Sequence, residues 1–164
     1  MKALESRLAI EDGARELDMV LNIGALRSGN YDLVREDIAA VVNQGKPLGV
    51  VVKVIFEVCY LSPEQIVKAC ELAEAAGADF VKTSTGFGSG GATRESVQLM
   101  LETVRGRLSV KASGGIRTWE EALYFLSAGC RRLGVGDAAR ILDGALTSGS
   151  TVPTPLPFAS GQSY

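Results

Sequence analysis

Apolar residues in this chain fall into short runs separated by stretches of helical spacing. The runs at 17–23 (LDMVLNI), 48–57 (LGVVVKVIFE), 78–84 (ADFVKTS), 108–113 (LSVKAS) and 132–136 (RLGVG) have the length and make-up of strands. Between them the apolar positions recur every three or four residues. Helix 31–43 carries Leu33, Val34, Ile38, Val41 and Val42, helix 62–76 carries Ile66, Ala69, Cys70 and Ala73, and helix 93–104 carries Val97, Met100, Leu101 and Val104. Such stripes mark helices that lay one face on a sheet. Ser62-Pro63-Glu64-Gln65 sets a cap, a first-turn proline and a capping-box glutamine in order, and Thr118-Trp119-Glu120-Glu121 is a second capping box. Three stretches, EDGARELDMV (11–20), EAAGADFVKT (74–83) and SAGCRRLGVG (127–136), each read as helix end, glycine, polar step and strand. The resulting alternation of helices and five strands predicts a parallel sheet, either doubly wound or part of a (β/α)8 barrel. Residues 1–146 read as one domain, and the Ser/Thr/Pro/Gly-rich tail 147–164 as disordered or loosely attached.

Charges interrupt the strands. Buried parallel strands are normally near-continuous apolar runs, yet Asp18, Lys53, Glu57, Lys82 and Lys111 all lie in or at the end of one. Lys53, Ile55 and Glu57 share a strand face opposite Val52, Val54 and Phe56, which suit the helix side. Lys53 and Glu57 then point to the centre, as do Lys82 and Lys111. A single strand lysine ordinarily snorkels out or pairs with a carboxylate, and that is the reading for Lys53 and Glu57. Lys82 and Lys111 are different. Both stand near strand C-termini, where barrel sites lie, and each precedes a glycine-bearing loop. Two neighbouring cations, partly buried, favour a neutral amine, which attacks carbonyls. Asp18 is either an ion-pair partner of these lysines or a proton shuttle. The loops GFGSGGAT (86–93) and SGGIRT (113–118) offer backbone N–H groups of the kind that hold phosphate.

Composition narrows the chemistry. The chain has no histidine, which excludes Ser-His-Asp and Cys-His nucleophiles and leaves few ligands for zinc. Acid–base work falls to Asp, Glu, Lys, Tyr or Cys. A net charge of −2 gives no reason to expect nucleic acid or an anionic membrane as a partner, and no apolar run reaches membrane-span length. Three scattered cysteines suit a reducing, cytoplasmic setting rather than a disulfide framework.

LDMVLNIGALRSGNYDLV, VKVIFEVCYL, GADFVKTSTGFGSGGAT and VKASGGIRTWEEAL together resemble the deoxyribose-phosphate aldolases, in sequence and in order, over about residues 8–145. The resemblance implies a (β/α)8 barrel and a class I lyase that cleaves 2-deoxyribose 5-phosphate to glyceraldehyde 3-phosphate and acetaldehyde. It implies that Lys82 forms the Schiff base, that Lys111 perturbs it and that Asp18 joins a proton relay. It places substrate and phosphate on Thr85, Gly86, Gly114, Gly115 and Gly136, with no metal or organic cofactor. By the same resemblance residue 1 lies in the helix before the family's fourth strand. The last five βα units are then present and the first three strands absent. Such an arc is expected to expose Ile55, Lys53 and Glu57 to water or to another chain, and to self-associate or stay weakly stable. A second reading follows: a weak or inactive remnant that serves as an oligomerising or binding domain. Gly136-Asp137 stand where the family usually has two small hydroxyl residues, and a carboxylate there repels a phosphate unless it turns away.

Overall fold

The computed structural model describes residues 1–149. Seven helices and five strands alternate: α1 (Lys2–Glu11), β1 (Glu16–Val20), α2 (Ile23–Arg27), α3 (Tyr31–Gly45), β2 (Val51–Ile55), α4 (Pro63–Ala75), β3 (Phe80–Lys82), α5 (Arg94–Val104), β4 (Ser109–Ser113), α6 (Trp119–Ala128), β5 (Arg132–Gly134) and α7 (Ala138–Ser148). Single helical turns follow α3 and β2. The strands pair in parallel in the order β1-β2-β3-β4-β5. A doubly wound sheet reverses its strand order part-way, and this one does not. The order is therefore that of five consecutive barrel strands, open between β1 and β5.

Register sorts the side chains. Leu17, Met19, Val52, Val54, Val81, Val110 and Ala112 face outward and pack with the stripes of the helices, among them Ile38, Ala69, Met100 and Phe125. This one layer of helix on sheet is the apolar core, and its burial is the main driving force for the arc. Glu16, Asp18, Lys53, Phe80, Lys82, Lys111 and Arg132 alternate with those residues and occupy the concave face. Both expected capping boxes form, and a third joins Thr93 to Ser96.

Three expectations are revised. The first strand stops at Val20 rather than running to residue 23, because the Asn22 side chain accepts a hydrogen bond from the Ala25 N–H (3.0 Å) and starts α2. The last helix reaches Ser148, two residues into the expected tail, and ends on Gly149 in the left-handed region; the tail from residue 150 onward lies outside the described residues. Finally, Lys53, Ile55 and Glu57 are 1%, 5% and 5% exposed, so the open arc does not leave them in water. Long side chains from both edges cover the concave face: Arg132 of β5 pairs with Glu16 of β1 and lies 5.2 Å over the Phe80 ring.

Candidate active site

Asp18 is the hub of the concave face. Its Oδ2 accepts from Lys82 Nζ at 2.6 Å and from Lys111 Nζ at 3.1 Å, and its Oδ1 lies 3.0 Å from Lys53 Nζ. The local sequence explains the convergence. Strand alternation turns all four side chains inward, and Lys82 and Lys111 are direct partners on adjacent strands. Lys53 also reaches Glu16 Oε2 at 2.6 Å, and Glu16 pairs with Arg132. Four cations thus surround two carboxylates. Burial alone would raise the Asp18 carboxyl. Hydrogen bonds from Lys82, Lys53 and Lys111, with the charge of Lys53, outweigh it and hold the group well below the usual carboxylate range. Glu16 is lowered in the same way: burial opposes, and the hydrogen bonds and charges of Lys53 and Arg132 prevail. The Lys82 and Lys111 side chains remain 12% and 17% accessible, so a small molecule can approach from the open side.

Around this hub stand the C-terminal loops of the strands. Thr85 follows β3, and its N–H and hydroxyl both donate to the Glu57 carboxylate. The Thr85 hydroxyl also accepts from the Phe87 N–H at 3.0 Å. Glu57, expected to pair as a charged residue of the centre, is instead the anchor of this loop. It lies beyond the end of β2 in the left-handed region (φ 55°), which swings its carboxylate to Thr85. Gly86 (φ 95°) turns the loop outward. Gly91 touches Gly114: a Cβ on Gly91 would lie 2.2 Å from the Gly114 oxygen, so only glycine permits the contact. The Ala92 N–H donates to the Ser113 and Gly114 oxygens, which ties the two glycine loops together. Gly114 and Gly115 both have positive φ. Gly136 lies two residues past β5 with open space around it, and Asp137 turns its carboxylate to the Arg140 N–H (3.0 Å) as the cap of α7.

The structure thus joins Lys82, Lys111 and Asp18 directly, and gathers Thr85, Gly86, Gly114 and Gly115 in two linked loops beyond the same strand ends. Sequence reasoning missed Glu16, whose place at the start of β1 gives no sign of its partners, and Gly91, one glycine among several in its loop. No cluster of three or more metal-ligating side chains occurs among the described residues, and no described helix is long and apolar enough to cross a membrane.

Known proteins resemble the chain in sequence and in fold. The deoxyribose-phosphate aldolase of Thermococcus gammatolerans is 57% identical over 145 residues, which are 88% of this chain and 64% of the relative. That of Carboxydothermus hydrogenoformans is 56% identical over 149 residues, 90% of this chain and 65% of the relative. A solved aldolase superposes with a TM-score of 0.84 at 42% identity, over 90% of this chain and 66% of the other. The deoxyribose phosphate aldolase of Aeropyrum pernix, a tetramer, gives a TM-score of 0.80 at 31% identity, over 90% and 62%. The chain spans just under two thirds of the length of these curated relatives. The model of the DeoC/LacD family aldolases matches residues 1–134, and the chain belongs to that family.

Proposed function

We propose that this chain carries the reacting centre of a deoxyribose-phosphate aldolase, a class I lyase in which Lys82 forms the imine. The observation that carries the reading is the shared carboxylate oxygen: two lysines in register on adjacent strands, both bonded to Asp18 Oδ2. Imine formation needs an amine that has lost its proton, a nearby group to take and return protons, and a second cation to discourage reprotonation. Lys82 is the amine and Lys111 the second cation; Asp18, held ionised by its lysines, orients both amines and joins a proton relay through water. The Lys82 amine adds to the C1 aldehyde of open-chain 2-deoxyribose 5-phosphate, and water leaves to give the iminium. Loss of the C3 hydroxyl proton breaks C2–C3, and the bonding pair moves towards the iminium nitrogen as an enamine. Glyceraldehyde 3-phosphate departs; protonation at C2 and hydrolysis then release acetaldehyde and free Lys82. Thr85, Gly86, Gly114, Gly115 and Gly136 are the proposed lining for the sugar and its phosphate. The Asp137 carboxylate accepts from the Arg140 N–H at the start of α7, which lessens its repulsion of a phosphate there. The chemistry calls for no cofactor, and its setting is the cytoplasm.

The test is covalent trapping. Acetaldehyde with borohydride should leave one stable adduct, on Lys82, and Lys82→Arg should abolish it. Mass spectrometry that finds the adduct on Lys111 or Lys53 overturns the assignment. No adduct on any lysine favours the reading of a non-catalytic binding domain.

A further inference from the structure

Lys53 is a large side chain buried without reaching solvent, and it makes no contact with the open side of the site. Burying an ammonium is costly unless its hydrogen bonds are met, and here they are met by two carboxylates: Glu16 Oε2 at 2.6 Å and Asp18 Oδ1 at 3.0 Å, with the Phe80 ring 5.9 Å away. The two oxygens of Asp18 are therefore divided. Oδ1 belongs to Lys53, and Oδ2 to Lys82 and Lys111. A carboxylate bonded on one side only can turn about its Cβ–Cγ bond; bonded on both, it cannot. We propose that Lys53 is a positioning residue: it fixes which oxygen of Asp18 faces the reactive lysine and draws part of that carboxylate's charge away from Lys82. Glu16, itself held by Arg132 on the far edge strand, sets how much of Lys53's charge is left for Asp18.

The inference rests on the assignment of Lys82 as the imine-forming residue. Lys82 bonds Asp18 from β1 and shares the concave face with Glu16 from β1, Lys53 from β2, Lys111 from β4 and Arg132 from β5, while Glu57 stands beyond the end of β2. Removing Lys53 deletes a nearby positive charge and releases Asp18 to Lys82. Both effects favour the ammonium, so the free amine forms at higher pH. Removing the charge of Glu16 acts in the opposite sense.

The experiment follows adduct formation on Lys82 with acetaldehyde and borohydride across pH in the wild-type chain, Lys53→Met, Lys53→Arg and Glu16→Gln. The half-point of trapping should move about one unit towards higher pH in Lys53→Met, return towards wild type in Lys53→Arg, and move to lower pH in Glu16→Gln. Opposite shifts separate electrostatic control from packing damage, which has no reason to change sign. Should Lys53→Met not fold, the downward shift in Glu16→Gln carries the test. A wild-type adduct on Lys82 with coincident half-points in the folded variants overturns the role of Lys53 alone. A wild-type chain with no Lys82 adduct overturns the imine assignment and this inference together.

Discussion

At the residue scale the centre is an ion cluster whose members depend on one another. Asp18 holds three lysines, and its lowered pKa is a statement about stability. A carboxyl depressed on folding contributes stability that is present above its unfolded pKa, roughly 3.9, and is lost as pH falls through the folded value. Wild-type stability should therefore decline on acidification from about pH 5 downward. Asp18→Asn should be less stable at neutral pH by about 1–3 kcal/mol, less than for a fully buried pair because the group is partly solvated. Its stability should also depend less on acid. Some dependence should survive, since the Glu16 carboxyl is lowered too. Urea unfolding at a series of pH values checks both points, and parallel pH curves for the two proteins would contradict the account.

At the element scale the site depends on two glycine loops meeting at one point. Gly91 and Gly114 pack backbone on backbone, and the Ala92 N–H bridges to β4. Gly91→Ala must push the loops apart, and it should cost about 1–3 kcal/mol, in the range of overpacked interiors. It should also slow trapping at Lys82 by disordering the surrounding loops. Gly106→Ala, in the turn between α5 and β4, offers a control: its φ of 75° is unfavourable for alanine, but nothing lies within 4 Å of the added carbon. There the expected cost is only the left-handed backbone penalty of roughly 1–2 kcal/mol, with little effect on trapping. Thermal melts and trapping rates of the two variants decide it, and equal losses of trapping would remove the special role of the Gly91–Gly114 contact.

At the scale of the whole molecule, β1 and β5 each pair on one side only within the described sheet. The helices beside these edges show apolar residues to solvent: Leu4 and Leu8 on α1, Leu142 and Leu146 on α7. Unpaired edges flanked by exposed leucines recruit further chain. The 164-residue chain on its own should therefore sediment as an association of copies whose size rises with concentration. A concentration-independent monomer that melts cooperatively would show that the cover provided by Arg132 and Glu16 suffices.

Local pattern alone determined the number of strands and their succession along the chain, the helix faces and the helix starts at Ser62 and Thr118. These depend on neighbours within a few positions: alternation, helical spacing and capping chemistry. It also singled out Lys82, Lys111 and Asp18, because a charge in a parallel strand violates the burial rule visibly. Other features depend on residues far apart in sequence. The choice between barrel order and doubly wound order lay in strand pairing. The anchoring of Thr85 by Glu57 lay in one left-handed residue, which no composition signals. The burial of Lys53 came from Glu16 and Arg132, 116 residues apart, meeting across the concave face. Ion pairs have no periodicity, so a sequence shows which charges need partners, and the tertiary structure decides which partners they find.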